Sequence, residues 1–488
     1  MGTASTRQTP DAPDADADGQ LRLSELVAAL STALDLTEGQ PAGHAMRTCV
    51  IGMRLAESLR LPPADRSALF YALLLKDLGC SSNASRVCTL FGADDLTVKR
   101  DFKTTNTSRL RERLAYVLRH LAACGSVRER AATLVRLGVS GQKEAGEFIR
   151  MRCQRGADIT RLFELPEATA DAIYSLDEHW DGRGQPQGLR GEAIPLLARI
   201  LCLAQTVEVF VQRDGVAAAL DMARARSGSW FDPDLVARLT ATESDALFWT
   251  TVRQADPTEG LALLEPEDRV LAADDDRLDR VCLGFARVVD AKSAWTRRHS
   301  EGVADLACGI ADAMGLGSDA AVTLRRTGLL HDIGKLGVSN LILDKPGRLT
   351  DDELVQMRRH PRFSEQILAQ VPCLREITAL AASHHERLDG RGYHSGLTGD
   401  ALTTPARIMV VADMFEAMTA ERPYRDTMPI EKVLGILEKD TGTAVCGDVV
   451  AGLRTHIDTH GYTPGSFCKE TAEAQGLATP PPALAAAA

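Results

Sequence analysis

The chain has 488 residues, 44% hydrophobic and 25% charged, the proportions of a folded globular protein, which excludes disorder as the main state and the collagen and coiled-coil classes. At roughly 150 residues per domain, this length corresponds to two to four domains. The formal charge of -11, from 56 basic and 67 acidic residues, excludes general binding of nucleic-acid polymers, which needs a basic footprint. It leaves room for a small anionic ligand held by a few local cations. Eleven cysteines, scattered from Cys49 to Cys468 without close pairs, read as reduced thiols of a cytoplasmic protein.

Residues 1–20 are small, polar and acidic, and lack the basic start and apolar run of a signal peptide. They and the low-complexity end, 471–488, read as disordered tails. Between them the apolar period is helical and strand-like alternation is scarce, so the fold class expected is all-α. In a first domain, 21–250, Leu110, Leu114, Val117, Leu118 and Leu121 form an amphipathic stripe, with Arg109, Arg111, Arg113 and Arg119 on other faces. The apolar window from Ala193 to Val211 is broken by Arg199, Gln205 and Glu208, which predicts a buried helix and no membrane span.

Residues 251–278, with Asp274, Asp275 and Asp276, read as a linker to a second domain, 279–470. There Val303, Leu306, Ala307, Ile310 and Met314 form one stripe closed by Gly315 and Gly317. Thr350 to Glu353 is a capping box. Pro405 suits the first turn of a helix carrying Ile408, Met409, Ala412 and Phe415. His456 and His460, just before Gly461, suit a helix end, where imidazolium interacts well with the dipole.

The two domains repeat one text. Residues 181–210 mirror 389–418 at an offset of 208, whereas 43–48 mirror 298–303 and 73–80 mirror 329–335 at an offset of 255. The change of offset gives the first copy an insertion of 47 residues near 81–150. The predicted architecture is a tandem of helical bundles.

Six of the eleven histidines lie between His299 and His394. The second copy carries seven potential metal ligands in order: His299, the pair His331-Asp332, His360, the pair His384-His385, and Asp413. Nitrogen and carboxylate donors suit divalent Fe, Mn or Zn over Ca or Mg. Seven donors exceed the needs of one tetrahedral ion, so two ions are the economical reading, with Asp332 able to bridge them.

The segments HDIGKLGVSNLIL (331–343), HHERLDGRGYH (384–394), ARIMVVADMFEAM (406–418) and ERPYR (421–425) resemble the HD-GYP family of HD-superfamily phosphohydrolases. The resemblance implies tandem HD-domain bundles and a metal centre that hydrolyses cyclic di-GMP to pGpG or GMP. Two divalent transition-metal ions, Fe or Mn, would activate a hydroxide nucleophile. One would sit on His299, His331, Asp332 and Asp413, the other on Asp332, His360, His384 and His385. Lys335, one turn after His331, would contact a phosphate oxygen, so Asp332 and Lys335 are the expected catalytic pair. Arg422 and Arg425 would grip the phosphates of the ligand.

The chain departs from the family where Gly-Tyr-Pro becomes Gly392, Tyr393, His394, and His394 is expected to be a solvent-facing loop residue. Trp295 stands where members with three metals carry Glu, so two metals are expected. The first copy retains His44 and Asp77 but has Lys76, Cys80, Leu176, Asp177 and Gln205 at the other positions, too few ligands for a tight site. It is expected to be catalytically silent and to serve as an intramolecular partner in a pseudo-dimer. The expectation is thus a cytoplasmic phosphodiesterase acting on a cyclic dinucleotide, with no nucleic-acid polymer or membrane partner. The alternatives are a phosphohydrolase of cyclic GMP-AMP or a linear nucleotide, and a non-catalytic nucleotide-responsive interaction protein.

Overall fold

A computed structural model describes residues 21–106, 109–121, 141–254, 264–266, 271–293, 295–296, 298–420 and 427–462. Both tail readings, and Arg422 and Arg425, lie outside these residues. The fold is all-α. Among the described residues there is no β-strand, only four isolated bridges.

In the first half, helices Leu23–Thr37, His44–Leu59, Pro63–Leu75, Glu167–Tyr174 and Leu196–Asp214 pack together. In the second half, helix His299–Ala313 packs on Ser318–Leu330, Thr404–Thr419 and Gly447–His460. Local sequence sets these elements. The Thr350 hydroxyl and the Glu353 carboxylate form the reciprocal capping box of helix Asp351–Met357. Pro405 sits in the first turn of its helix, capped by Thr403. Val303, Leu306, Ala307 and Ile310 are buried, and Gly315 at φ 72 ends their helix.

The halves share a core. One apolar cluster runs from Leu23 and Phe70 through Phe163 to Phe285, Leu336 and Ile377. Helix Leu23–Thr37 packs on the turn Ile333–Gly337 and on helix His360–Leu368. The Phe163 and Phe285 rings stack at 6.1 Å, and a Cβ at Gly284 would collide with Phe163. Burial of this surface holds the halves together at about 25 cal/mol per Å² of apolar area.

Three sequence expectations change. Residues 251–278 are not all linker: Leu23 N–H donates to Leu271 O at 2.8 Å and Ala273 N–H to Leu21 O at 2.8 Å. Asp274 caps helix Asp275–Asp290, and Asp275 and Asp276 occupy its acidic first turn, where carboxylates complement the dipole. The three aspartates start a helix. In the insertion, helix Leu110–Leu121 forms, but Leu114 and Leu118 are exposed (52% and 48%). Its buried face is Tyr116, His120 and Leu121, because Tyr116 packs edge-on against Phe91 and Phe102 and its hydroxyl donates to Val98 O at 2.8 Å.

The 193–211 window is helix Leu196–Asp214, and no helix among the described residues is long and apolar enough to cross a membrane. Arg199 and Glu208 are instead satisfied inside the protein: Arg199 pairs with Asp232 at 2.6 Å, and Glu208 with His44 and Arg47. None of the nine described cysteines is in a disulfide.

Candidate metal centre

Five short stretches of backbone bring the candidate ligands together. His299 opens helix His299–Ala313, after Arg298 in the left-handed region at φ 63. His331 and Asp332 follow helix Ser318–Leu330 and lead into the turn Ile333–Gly337. His360 opens helix His360–Leu368, His384 and His385 follow helix Arg375–Ser383, and Asp413 lies within Thr404–Thr419. A Cβ at Gly334 would strike the His360 carbonyl and the Ser364 nitrogen, so glycine permits this close approach. The Ser364 hydroxyl clamps the same turn, donating to His331 O at 2.7 Å and accepting from Gly334 N–H at 3.0 Å.

All seven side chains meet, and six are buried; His385 stands at the mouth with its side chain 25% exposed. Asp332 faces two ways. Its Oδ2 lies 3.4 Å from His299 Nε2 and 3.3 Å from His331 Nε2, and its Oδ1 lies 3.4 Å from His360 Nε2 and 3.6 Å from His384 Nε2. Asp413 also spans the cluster, with Oδ1 3.3 Å from His299 Nε2 and Oδ2 3.5 Å from His385 Nδ1. The sequence partition assigned Asp413 to a single ion.

Backbone carbonyls fix the tautomers. Nδ1 of His331, His360 and His384 lies 2.8, 2.7 and 2.5 Å from the carbonyl oxygens of Gly328, Met357 and Ala381. A carbonyl only accepts, so each Nδ1 carries the proton and each Nε2 turns a lone pair inward. Nε2 of His299 and His331 and Oδ1 of Asp332 are buried without a hydrogen-bond partner. Orphaned buried acceptors of this kind are costly, and a divalent cation satisfies them.

The electrostatics agree with ligation. Burial opposes charge on Asp332, but His331 and the Lys335 ammonium hold its carboxyl well below the usual range. Asp413 is held low against burial by His299 and His385. Burial, with Lys335 and His384, pushes His360 down to about 3, and burial with His384 lowers His385 strongly. These imidazoles are neutral, as ligands must be. His299 goes the other way: despite burial, the Glu416 carboxylate and the nearby carboxylates of Asp332 and Asp413 raise it well above its ordinary value. The field at its Nε2 favours a cation.

Of the other expected residues, Lys335 contacts Asp332 Oδ2 and keeps its side chain 17% exposed, between the cluster and solvent. His394 does not join the cluster; its Nε2 lies 2.9 Å from Glu365 Oε2. His456 and His460 end helix Gly447–His460, as expected.

In the first half, His44 and Asp77 occupy matching places, and His44 Nδ1 contacts Glu208 just as His299 Nδ1 contacts Glu416. Lysines crowd that cluster. Lys76 Nζ lies 2.5 Å from Asp77 Oδ2, and Lys103 Nζ lies 3.2 Å from Asp77 Oδ1 and 3.0 Å from Glu38 Oε2. Arg152 pairs with Asp177.

Sequence reasoning missed four supporting groups. Glu416 orients His299. Asp290 accepts Ser300 N–H at 3.1 Å and its hydroxyl at 2.8 Å, anchoring the start of the His299 helix. Ser364 clamps the turn after Asp332. Buried Glu386 accepts the N–H groups of His394, Ser395 and Leu397. The repeat held a signal for three of them, because Glu208, Asp35 and Glu178 stand at the corresponding offsets.

Residues 134–235 and 285–447 match the HD domain family. The chain is 43% identical over 436 residues to a 3'3'-cGAMP-specific phosphodiesterase 3 of Vibrio cholerae, covering 89% of this chain and 95% of the relative. A crystal structure of a cyclic GMP-AMP-specific phosphodiesterase from V. cholerae matches with a TM-score of 0.63 at 39% identity, over 90% of this chain and 98% of that one. A cyclic di-GMP phosphodiesterase response regulator of Xanthomonas campestris is 33% identical over 196 residues, covering 39% of this chain and 52% of the relative.

Proposed function

The chain belongs to the HD-domain family of metal-dependent phosphohydrolases, and from that premise we propose that it hydrolyses 3'3'-cyclic GMP-AMP at the centre around Asp332. Cyclic-dinucleotide phosphodiesterase is the broader activity. The GMP-AMP substrate rests on likeness over nearly the whole chain to relatives of that specificity. Cyclic di-GMP is the second reading, favoured by the likeness of shorter segments of the chain to cyclic di-GMP phosphodiesterases.

The observation that carries the chemistry is the set of inward-facing, unpartnered acceptors on His299, His331 and Asp332 beside the neutral imidazoles of His360 and His385. His299, His331, Asp332 and Asp413 would hold one divalent ion, and Asp332, His360, His384 and His385 a second. Fe or Mn fits the mixed nitrogen and carboxylate donors. Such ions, when bound, supply Lewis acidity toward a phosphoryl oxygen and lower the pKa of water. The residues of the chain do the rest. Carbonyl-fixed imidazoles hold their lone pairs inward. Asp332 and Asp413 stay ionised. The Lys335 ammonium, on Asp332 in the free protein, is within reach of an arriving phosphate, and Arg422 and Arg425 would add phosphate contacts.

The first half is a degenerate HD-type bundle that buttresses the second through the shared core, an intramolecular pseudo-dimer spanning 21–250 and 279–470. Free thiols and an intracellular messenger as substrate fit a cytoplasmic protein. The test is anaerobic purification, metal analysis and a panel of 3'3'-cyclic GMP-AMP, cyclic di-GMP, cyclic di-AMP and linear dinucleotides. About two ions per chain and preferential opening of the GMP-AMP ring are expected. No bound metal, or no hydrolysis of any cyclic dinucleotide, overturns the reading.

A further inference from the structure

The loops after His384-His385 and after Leu176-Asp177 share a glutamate clasp and two left-handed glycines, but differ in several side chains and in which N–H groups the glutamate takes. In the second half, Glu386 accepts the N–H groups of His394 at 3.1 Å, Ser395 at 2.7 Å and Leu397 at 3.0 Å. In the first half, Glu178 accepts those of Gln187 at 2.6 Å, Gly188 at 3.1 Å and Leu189 at 2.9 Å. Gly390 and Gly396 match Gly182 and Gly188 in the left-handed region. At one of the differing positions the first loop holds Pro186 and the second His394. Proline fixes its own φ through its ring; histidine does not, and its loop needs an external restraint.

That restraint is Glu365. His394 Nε2 lies 2.9 Å from Glu365 Oε2, on the helix that His360 opens. The neighbouring residue is Tyr393, whose N–H donates to His385 O at 3.3 Å. Its ring lies 4.6 Å from the His385 imidazole, with the Arg358 guanidinium 4.9 Å from the ring centre. Tyr393 is 39% exposed, so it forms one wall of the mouth beside the most exposed candidate ligand.

We propose that His394 and Glu365 form a pin that holds Tyr393 on His385 and so sets how the substrate seats. His394 is a positioning residue. The inference rests on the hydrolase reading above and adds to it a substrate-seating role for this loop.

The test uses the full chain and compares H394A, E365A, their double variant and H394Q. Each alanine variant should raise KM about fivefold to tenfold, the worth of one charge-assisted hydrogen bond. Metal content should hold, and kcat should stay within about twofold, as expected for lost seating without lost chemistry. The double variant should be no worse than either single one, and H394Q, whose side-chain amide can still donate to Glu365, should recover most of the KM. Amide exchange at Ser395 and Leu397 should quicken in H394A and return in H394Q, a readout that needs no turnover. Unchanged KM and exchange in H394A, additive losses, or H394Q no better than H394A would overturn the pin. If the unmodified chain opens no cyclic dinucleotide yet exchange follows the pattern, the hydrolase reading fails and the pin survives.

Discussion

Two clusters in this protein share one skeleton and carry opposite fields. Around Asp77 the histidine of the pair, His44, is pushed down to about 4 by burial together with the Lys76 and Lys103 ammoniums, against the pull of Glu208. Around Asp332 the equivalent His299, with the same glutamate contact, is raised well above its ordinary value despite burial. The difference lies in what neutralises the central aspartate. Lys103, from the insertion, and Lys76, in place of His331, both contact Asp77. At Asp332 the second-half cluster offers unpartnered imidazole nitrogens. A buried carboxylate needs a counter-charge; the first half supplies two lysines, whereas the second supplies one, Lys335, and leaves unpartnered donors for a metal.

The same substitution should therefore do opposite things in the two halves. Asp332→Ala should abolish metal binding and lower kcat/KM at least about 10³-fold, because it removes the group that faces both sets of ligands. Metal analysis and steady-state kinetics check this, and the thermal midpoint should not fall below that of the metal-stripped unmodified chain. Asp77→Ala should leave metal content unchanged. It strands the buried Lys76, leaves Lys103 with Glu38 alone, and should cost about 3–5 kcal/mol of stability, read by urea unfolding. If Asp77→Ala lost metal, or Asp332→Ala kept it, the contrast would collapse.

The glutamates that orient the two histidines offer a sharper comparison. Glu416→Gln removes the carboxylate from His299 Nδ1, and such supporting partners are worth about 10–100-fold in metal affinity. Titration of the apo protein with Mn should show that loss. Glu208→Gln, the same change beside His44, should leave the titration unchanged.

These supporting groups also mark the limit of what sequence could yield. Helices and ligands were legible because periodicity, caps and an ordered set of histidines are local or strongly patterned. Capping by Thr350 and the burial of the Val303 stripe needed nothing from elsewhere in the chain. The insertion helix misled because its leucines form the clearer stripe, whereas long-range aromatic contacts to Phe91 and Phe102 decide that the Tyr116 face is buried. Asp274 to Asp276 resembled a polar linker because composition does not distinguish a cap from a loop. Lys103 as counter-charge to Asp77 was invisible, since 26 residues separate them and no motif joins them. Glu416 lay inside a quoted repeat, and its persistence as Glu208 was the unused signal.

One feature is common to both halves and should have a modest effect in either. Asp35 and Asp290 lie just before the paired histidine helices, and each is raised to about 7, chiefly by burial. Asp35 accepts Ala45 N–H at 3.0 Å with one oxygen, and its other oxygen has no partner, so a charge there is poorly compensated. Its folded pKa lies above the ordinary value of 3.8. Between about 4 and 7 the native state therefore holds a proton that the unfolded state has released. The stabilisation is fully present below pH 4 and is lost as pH rises through 7, by at most about 1.4 kcal/mol per pH unit. Asp35→Asn keeps the shape and removes the titration. Urea unfolding at pH 5 and pH 8 should show a stability difference smaller by roughly 1–3 kcal/mol in the variant than in the unmodified chain. An unchanged difference would mean that Asp35 is ionised in the fold, and that Lys76 neutralises it together with Asp77.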